Sequence, residues 1–293
     1  MNKTHVPVML QETIEKLHVK DNGFYVDCTL GEGGHSYEIY KSLNADGNLL
    51  SIDNDAGAID FVKGFYEETK SQNWQIVQGN FSKIDTYLKK YNRKPDGIIM
   101  DLGISSRQLE VETRGFSYIQ EAQPLDMRMD TNLGVTAKDL LYALNESELT
   151  KLFRKYGEEE YASKIARNIK KYLEKGNEIN TVGDLVSIIY KVLPSKEIHD
   201  SKHPARRVFQ ALRIAVNDEL NSLETGLQDC YDALNKGGRL VVITFHSLED
   251  RIVKKFFESN GNCITKKPIT PRYEEILSNS RAHSAKLRVT EKK

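Results

Sequence analysis

Between Phe24 and Asp53 the chain reads FYVDCTLGEGGHSYEIYKSLNADGNLLSID: a strand, a glycine-rich loop, a helix and a second strand. No other stretch restricts the fold as strongly, because a strand that turns through glycines into a helix and returns as a strand builds a parallel sheet. Phe24 to Cys28 alternates apolar and polar residues in strand fashion. Gly31, Gly33 and Gly34 then let the backbone turn sharply and approach a ligand closely, and a helix opens near Ser36. Asp53 closes the next strand about 20 residues past the loop, where an acidic side chain reaches ribose hydroxyls in nucleotide-binding folds.

The segment Gly31-Glu32-Gly33-Gly34-His35-Ser36 follows the dinucleotide pattern G-x-G-x-x-G until its last position, where serine replaces glycine. A dinucleotide sets its pyrophosphate on the helix N-terminus, where negative charge is favoured. This loop is preceded by Asp27, contains Glu32 and has no lysine or arginine, so it suits a cationic cofactor better. S-adenosylmethionine carries a sulfonium and an ammonium, needs no phosphate cradle and still offers a ribose diol to Asp53. Many glycine loops are plain tight turns; the acids on both sides of this one favour a cofactor.

Leu10 to Leu17 has helical spacing. After Asp53, Ala56 to Lys70 reads as a helix with Ile59, Val62 and Phe65 or Tyr66 on one face, and Trp74 to Val77 as a third strand. Phe81, just beyond it, is placed to stack on adenine or to serve the core. A short helix from Ser82 to Tyr91 leads to Gly97-Ile98-Ile99-Met100-Asp101, an apolar run closed by an acid, as a buried parallel strand should read. Ligands gather at the carboxyl ends of strands in open α/β sheets, so Asp27, Asp53, Phe81 and Asp101 should line one crevice.

The strand–helix alternation then stops. Residues 114–130 form a polar and aromatic loop too elaborate for a simple connector. Helices follow: Ala137 to Leu144 behind a Thr136 cap, Ser147 to Tyr156, Glu159 to Lys175 and Thr181 to Leu193. We expect an all-helical insertion over 108–201 between two parts of a sheet domain, 1–107 and 202–293. Its Arg154, Lys155, Lys164, Arg167, Lys170 and Lys171 either face RNA phosphates or form a solvated surface balanced by Glu158, Glu159 and Glu160. From residue 202 a long helix, with room for a break, runs toward Leu234; Leu240 to Phe245 is a buried strand ending in His246; and Ala285 to Val289 reads as an antiparallel edge strand. No sequence partner makes His246 part of a triad.

Composition sets the outer limits. With 42 basic and 42 acidic residues the chain is neutral, so a nucleic-acid contact must come from local patches. Cys28, Cys230 and Cys263 show no C-x-x-C spacing, which argues against a zinc site or a disulfide framework and fits a reducing compartment. No apolar run approaches the roughly 18 residues of a membrane span, and the N-terminus has no signal-peptide pattern. The expectation is a cytoplasmic protein.

Taken together, HVPVML, DCTLGEGGHS, SIDND, QGNFS, DLGISSRQL, RGFSY, PLDMRMD, YGEEEYASKIARNI, KHPARRVFQALRIAVNDEL, GGRLVVITFHSLEDRIVK and RAHSAKLRV closely resemble the bacterial ribosomal-RNA small-subunit methyltransferase H family, also called MraW, over nearly the whole chain and in the family's order. The resemblance implies a fold of class α/β, a Rossmann-like S-adenosylmethionine-dependent methyltransferase sheet with an inserted all-helical domain for substrate recognition. It implies methylation of the exocyclic N4 of a cytidine in the decoding centre of 16S ribosomal RNA, and so a partner in 16S rRNA within the small ribosomal subunit. By the same resemblance Gly33, Gly34 and His35 would hold the methionyl end of the cofactor, Asp53 its ribose, and Phe81, Asp101 and Gln108 the rest of the pocket. Asp101 and the carbonyls of Leu102 to Ile104 are the candidate acceptors for the N4 protons in a direct displacement. No metal is expected, and a homodimer stays open. Two rivals stand beside this reading, a nicotinamide-dependent oxidoreductase and a non-catalytic ribosome-binding factor that keeps the fold as a scaffold.

Overall fold

The structure is a computed structural model describing residues 7–110, 113–198, 203–260 and 262–293. The chain divides into two compact units, Met1–Ser105 with Leu220–Lys293, and Ser106–Glu219.

In the first unit seven strands of the described residues form one sheet: β1 Phe24–Asp27, β2 Asn48–Asp53, β3 Trp74–Gln78, β4 Gly97–Asp101, β5 Arg239–Thr244, β6 Asn262–Cys263 and β7 Lys286–Glu291. Their order is β3-β2-β1-β4-β5-β7-β6. The first five are parallel and β7 runs antiparallel between β5 and β6. The chain leaves β1 in one direction for β2 and returns on its other side as β4, and such a switch point opens a crevice at the carboxyl ends. The four residues of β1 are all buried, the pattern of a strand covered on both faces rather than of the alternation expected.

Helices supply the covers. Leu17 of α1 (Leu10–Leu17), Ile39 of α2 (Gly34–Lys41) and Ile59 and Val62 of α3 (Ala56–Phe65) pack with Tyr25, Leu49, Ile99, Val241 and Ile243. Ile84 of α4 (Ile84–Leu88) shares the other core with Phe24, Val26, Leu50, Ile98 and Met100, and helices from the C-terminal part complete it.

The second unit is helical: α5 Ser106–Glu110, α6 Ala137–Ala143, α7 Glu146–Gly157, α8 Ala162–Glu174, α9 Val182–Tyr190, α10 Ser195–Ile198 and α11 Arg206–Asn217. Thr136, Asn145 and Thr181 each close a capping box with the acid three residues on, which sets the starts of α6, α7 and α9. Gly157 lets α7 approach α11 so closely that a Cβ there would lie 2.5 Å from the Arg207 carbonyl oxygen. The loop from 114 is ordered by Arg114, whose guanidinium donates to the carbonyls of Arg128 and Met129. Asn217 pins it again, accepting from Met129 N–H and donating to Met127 O, both at 2.7 Å.

Several expectations change. The helix foreseen to Lys70 stops at Phe65, because Tyr66 turns extended, stacks on Tyr37 at 4.7 Å and leaves only a 3₁₀ turn over Glu67–Lys70. The break allowed for in the long helix falls at Asp218, in the left-handed region, and separates α11 from α12 (Glu219–Ala233). The expected return to the sheet domain at 202 falls outside the described residues, and α11 joins the helical unit, because its buried face packs on α7. Only α12 brings Leu223, Leu227 and Cys230 to the sheet, beside Val253 and Phe257 of α13 (Ser247–Asn260). The antiparallel strand is no edge, since β6 and an isolated bridge from Ile269 to Leu287 lie outside it.

Candidate active site

Three carboxyl groups end adjacent strands of the sheet unit: Asp53 on β2, Asp27 on β1 and Asp101 on β4. The glycine loop between β1 and α2 is tied to the first two. Gly31 N–H donates to Asp53 Oδ2 at 2.8 Å, and Asp55 N–H donates to Asp53 Oδ1 at 2.8 Å. Thr29 N–H donates to Asp27 Oδ1 at 3.0 Å, and Ser36 Oγ donates to Asp27 Oδ2 at 2.6 Å. Asp101 is anchored by its backbone, whose N–H donates to Thr29 Oγ1 at 2.6 Å.

Behind Asp27 runs a buried hydroxyl relay. Trp74 Nε1–H donates to Ser51 Oγ at 3.0 Å, and the Ser51 and Ser36 hydroxyls are 2.7 Å apart. The Ser36 O–H donates its hydrogen bond to Asp27, so Ser51 donates to Ser36 and accepts the indole N–H in turn. Sequence reasoning missed Thr29, Ser51 and Trp74 and saw Ser36 only as a departure from a fingerprint. Two signals were there to be read: a serine inside the apolar run of β2, and an indole N–H that needs an acceptor once buried.

The glycines do different jobs. Gly33, at φ +81°, has Val62 and Tyr66 side-chain atoms 3.0 Å from where its Cβ would lie, and Gly34 has Pro7 Cγ at 2.1 Å. Protein therefore fills the space above both. Gly31, at φ +53°, meets nothing nearer than 3.8 Å, so it is the loop glycine that leaves open room.

The electrostatics grade the three acids. Burial pushes Asp27 up, against the hydrogen bonds from Ser36 and Thr29. Burial lifts Asp53 to about 6, although the Asp55 and Gly31 amides pull it down. Asp101 rises well above the usual carboxylate range, first through burial and then through the charges of Asp27 and Glu249. His35, itself buried, brings Nδ1 to 3.6 Å from Asp101 Oδ2, too far for a hydrogen bond. Asp101 Oδ1 is sealed from solvent and receives no hydrogen bond.

The other predicted site residues are placed as follows. The half-buried Phe81 ring leans on α12, where a Cβ on Gly226 would come within 2.5 Å of its Cδ2, so part of the ring serves the core. Asn80 before it caps Ser82 N–H and donates to Ser222 Oγ at 3.1 Å. Gln108 is a buried residue of α5 in the helical unit. His246 is the N-cap of α13: its Nδ1 accepts Glu249 N–H at 3.4 Å, while Glu249 Oε2 accepts the amides of Phe245 and His246 at 2.8 and 3.2 Å. Its Nε2 lies 3.1 Å from Glu249 Oε1 without hydrogen-bond alignment. This is a capping box with histidine in the usual serine position. In the helical unit Lys170 Nζ donates to the carbonyls of Leu141 and Tyr142, closing the end of α6 instead of facing outward.

A deep glycine turn with acids on three strand ends and no cation in the loop offers hydrogen-bond acceptors and negative potential, the opposite of a phosphate cradle. The family model described as the MraW methylase family matches residues 2–293. A protein named Ribosomal RNA small subunit methyltransferase H from Clostridium botulinum (strain Loch Maree / Type A3) is 48% identical over 316 aligned residues, covering 100% of both chains. Proteins of the same name from Mycoplasma mycoides subsp. mycoides SC and Clostridioides difficile (strain 630) are 43% and 44% identical, covering 98% of this chain and 99% and 98% of theirs.

Proposed function

Because this chain belongs to the MraW methylase family, we propose that it transfers a methyl group from S-adenosylmethionine to the exocyclic N4 of a cytidine in the decoding centre of 16S ribosomal RNA, by direct in-line displacement. At the coarser level it is an S-adenosylmethionine-dependent ribosomal-RNA methyltransferase, with relatives so named along its full length. The nicotinamide alternative loses its footing with Ser36, whose hydroxyl is consumed by Asp27 in a loop without cations.

The described residues fit the cofactor on their own chemistry. Gly31 leaves room, the strand-end acids match a cation and a diol, and the buried Oδ1 of Asp101 lacks a donor. Asp53 would take the ribose with its remaining lone pairs, Gly33, Gly34 and His35 at the start of α2 the methionyl end, and Phe81 and Asp101 the remainder. When bound, the cofactor supplies an electrophilic methyl carbon on a sulfonium. Cytosine N4 is a weak nucleophile because its lone pair is delocalised, so the base must leave its stack and be held in line. Asp101 and the carbonyls of Leu102 to Ile104 accept the N4 hydrogens and keep the lone pair aimed at the methyl carbon. The observation that carries this assignment is Asp101 itself, an acid held by its backbone at a strand end with an acceptor oxygen unused.

On the helical unit, exposed Arg154 and Lys155 of α7 and Lys164, Arg167 and Lys171 of α8 are the proposed RNA phosphate contacts. Lys155 and Lys164 lie over the rings of Tyr156 and Tyr161, so each of these cations has an aromatic ring beside it. The protein is read as cytoplasmic: Cys28, Cys230 and Cys263 are free thiols, and no helix among the described residues is long and apolar enough to cross a membrane.

The test is incubation of the purified protein with isotopically labelled S-adenosylmethionine and small subunits lacking the modification, followed by nucleoside mass spectrometry. Label in N4-methylcytidine is the expected result. Label in another nucleoside, or subunit binding without any label, would overturn the assignment, the latter in favour of a scaffold factor.

A further inference from the structure

The three strand-end acids are unequally supplied with donors. Both oxygens of Asp53 hold backbone amides, and both oxygens of Asp27 hold an amide or a hydroxyl. Each keeps its carboxylate partly solvated by the protein, which favours the charged form. Asp101 has no such support: nothing donates to Oδ1, and His35 Nδ1 stands off from Oδ2 at 3.6 Å.

The acids around it point the same way, and only an imidazolium at His35 would oppose them. Asp27 from β1 and Glu249 from the first turn of α13 both add negative charge, and Asp53 on β2 belongs to the same row of strand ends. His246, the imidazole on that side, has its Nδ1 occupied by the Glu249 amide, and His35 from α2 is the other. A carboxylate beside two other acids, with no donor on Oδ1, is unfavourable, and a cation arriving in the cleft reverses the balance. About a quarter of the Asp101 side chain, 24%, is exposed, so a proton has a way out to solvent.

We propose that Asp101 is a proton switch in the cofactor site: it holds a proton in the empty protein and releases it to solvent when the cationic methyl donor binds. The carboxylic acid O–H breaks, its electron pair stays on oxygen, and the proton passes to buffer. The inference rests on the S-adenosylmethionine reading. Its consequence is an order of events: Asp101 becomes a full acceptor for the N4 hydrogens only after the methyl donor is in place, so the cytidine is gripped last.

Calorimetric titration of the intact protein with S-adenosylmethionine, in buffers of equal pH and different ionisation enthalpy, counts the protons released. Close to one proton per cofactor is expected for the wild type near neutral pH, and close to none for Asp101→Asn. Since release accompanies binding, affinity should rise with pH by up to about tenfold per pH unit on the acid side of the switch and then level off. Binding whose heat is independent of buffer, or an Asp101→Asn protein that releases the same proton, would overturn the switch and leave the cofactor reading intact. If the variant does not fold, the wild-type pH profile decides, and a flat profile rejects the proposal. Absence of any cofactor binding would instead reject the reading beneath it.

Discussion

Ser36 shows how one residue changes the meaning of a motif. Glycine there would complete G-x-G-x-x-G, yet the serine hydroxyl links the buried Ser51 to the buried Asp27. Ser36→Gly should therefore destabilise the fold by about 2–4 kcal/mol, from about 1–3 for the stranded partners and about 1 for glycine in a helix. It should gain no affinity for a dinucleotide; denaturant melts and a thermal-shift comparison of the two cofactors check both halves. Asp53 gives a prediction with a pH sign. Its carboxyl is raised from 3.8 to about 6, so its contribution to stability is complete below about pH 4 and is lost as pH rises through about 6. Asp53→Asn does not titrate, so the stability gap between wild type and variant should shift against the wild type by on the order of 2–3 kcal/mol between about pH 4 and pH 8. A gap constant with pH would mean that the buried carboxyl is no more costly to ionise than a free one.

Among the elements, α13 owes its start to the His246–Glu249 box rather than to a catalytic histidine. His246→Ala should cost about 0.5–2 kcal/mol in a chemical melt and leave methyl transfer within a few fold, whereas loss of turnover without loss of stability would return His246 to the reaction. The relay from Trp74 through Ser51 and Ser36 ties β3, β2 and α2 to Asp27, and Thr29 extends the tie to Asp101 on β4. Trp74 is the only tryptophan of the chain, so its emission is a direct reporter. Ser51→Ala removes the acceptor of the indole N–H, and a shift in emission maximum of the folded protein is expected.

At the scale of the whole molecule the neutral charge leaves the proposed RNA contact to local patches rather than to the overall field. Replacing Lys164, Arg167 and Lys171 together by alanine should leave cofactor affinity unchanged while weakening RNA binding. It should also flatten the dependence of log affinity on log salt by about 2, the expectation for three lost single-strand phosphate contacts. An unchanged salt slope would assign that face of α8 to solvent.

The division between sequence and structure follows the range of the interactions. Period, turn residues and caps act within a few positions, so β1, β2, β4, the starts of α6 and α9 and the Rossmann-like class were legible in the chain alone. The acids at the strand ends were legible too, because a charge closing an apolar run marks where a buried strand meets solvent. What those side chains do was settled by neighbours far away in the chain: Pro7 above Gly34, Gly226 beneath Phe81, Glu249 beside Asp101. Tyr66 left its helix for an aromatic stack, and α11 parted from α12 because each had a different surface to bury. Residue order by itself determined which elements form and which acids close the strands. Only the tertiary structure decided which polar atoms find partners and which, like Oδ1 of Asp101, receive no donor, because burial and hydrogen bonding depend on contacts that local sequence does not encode.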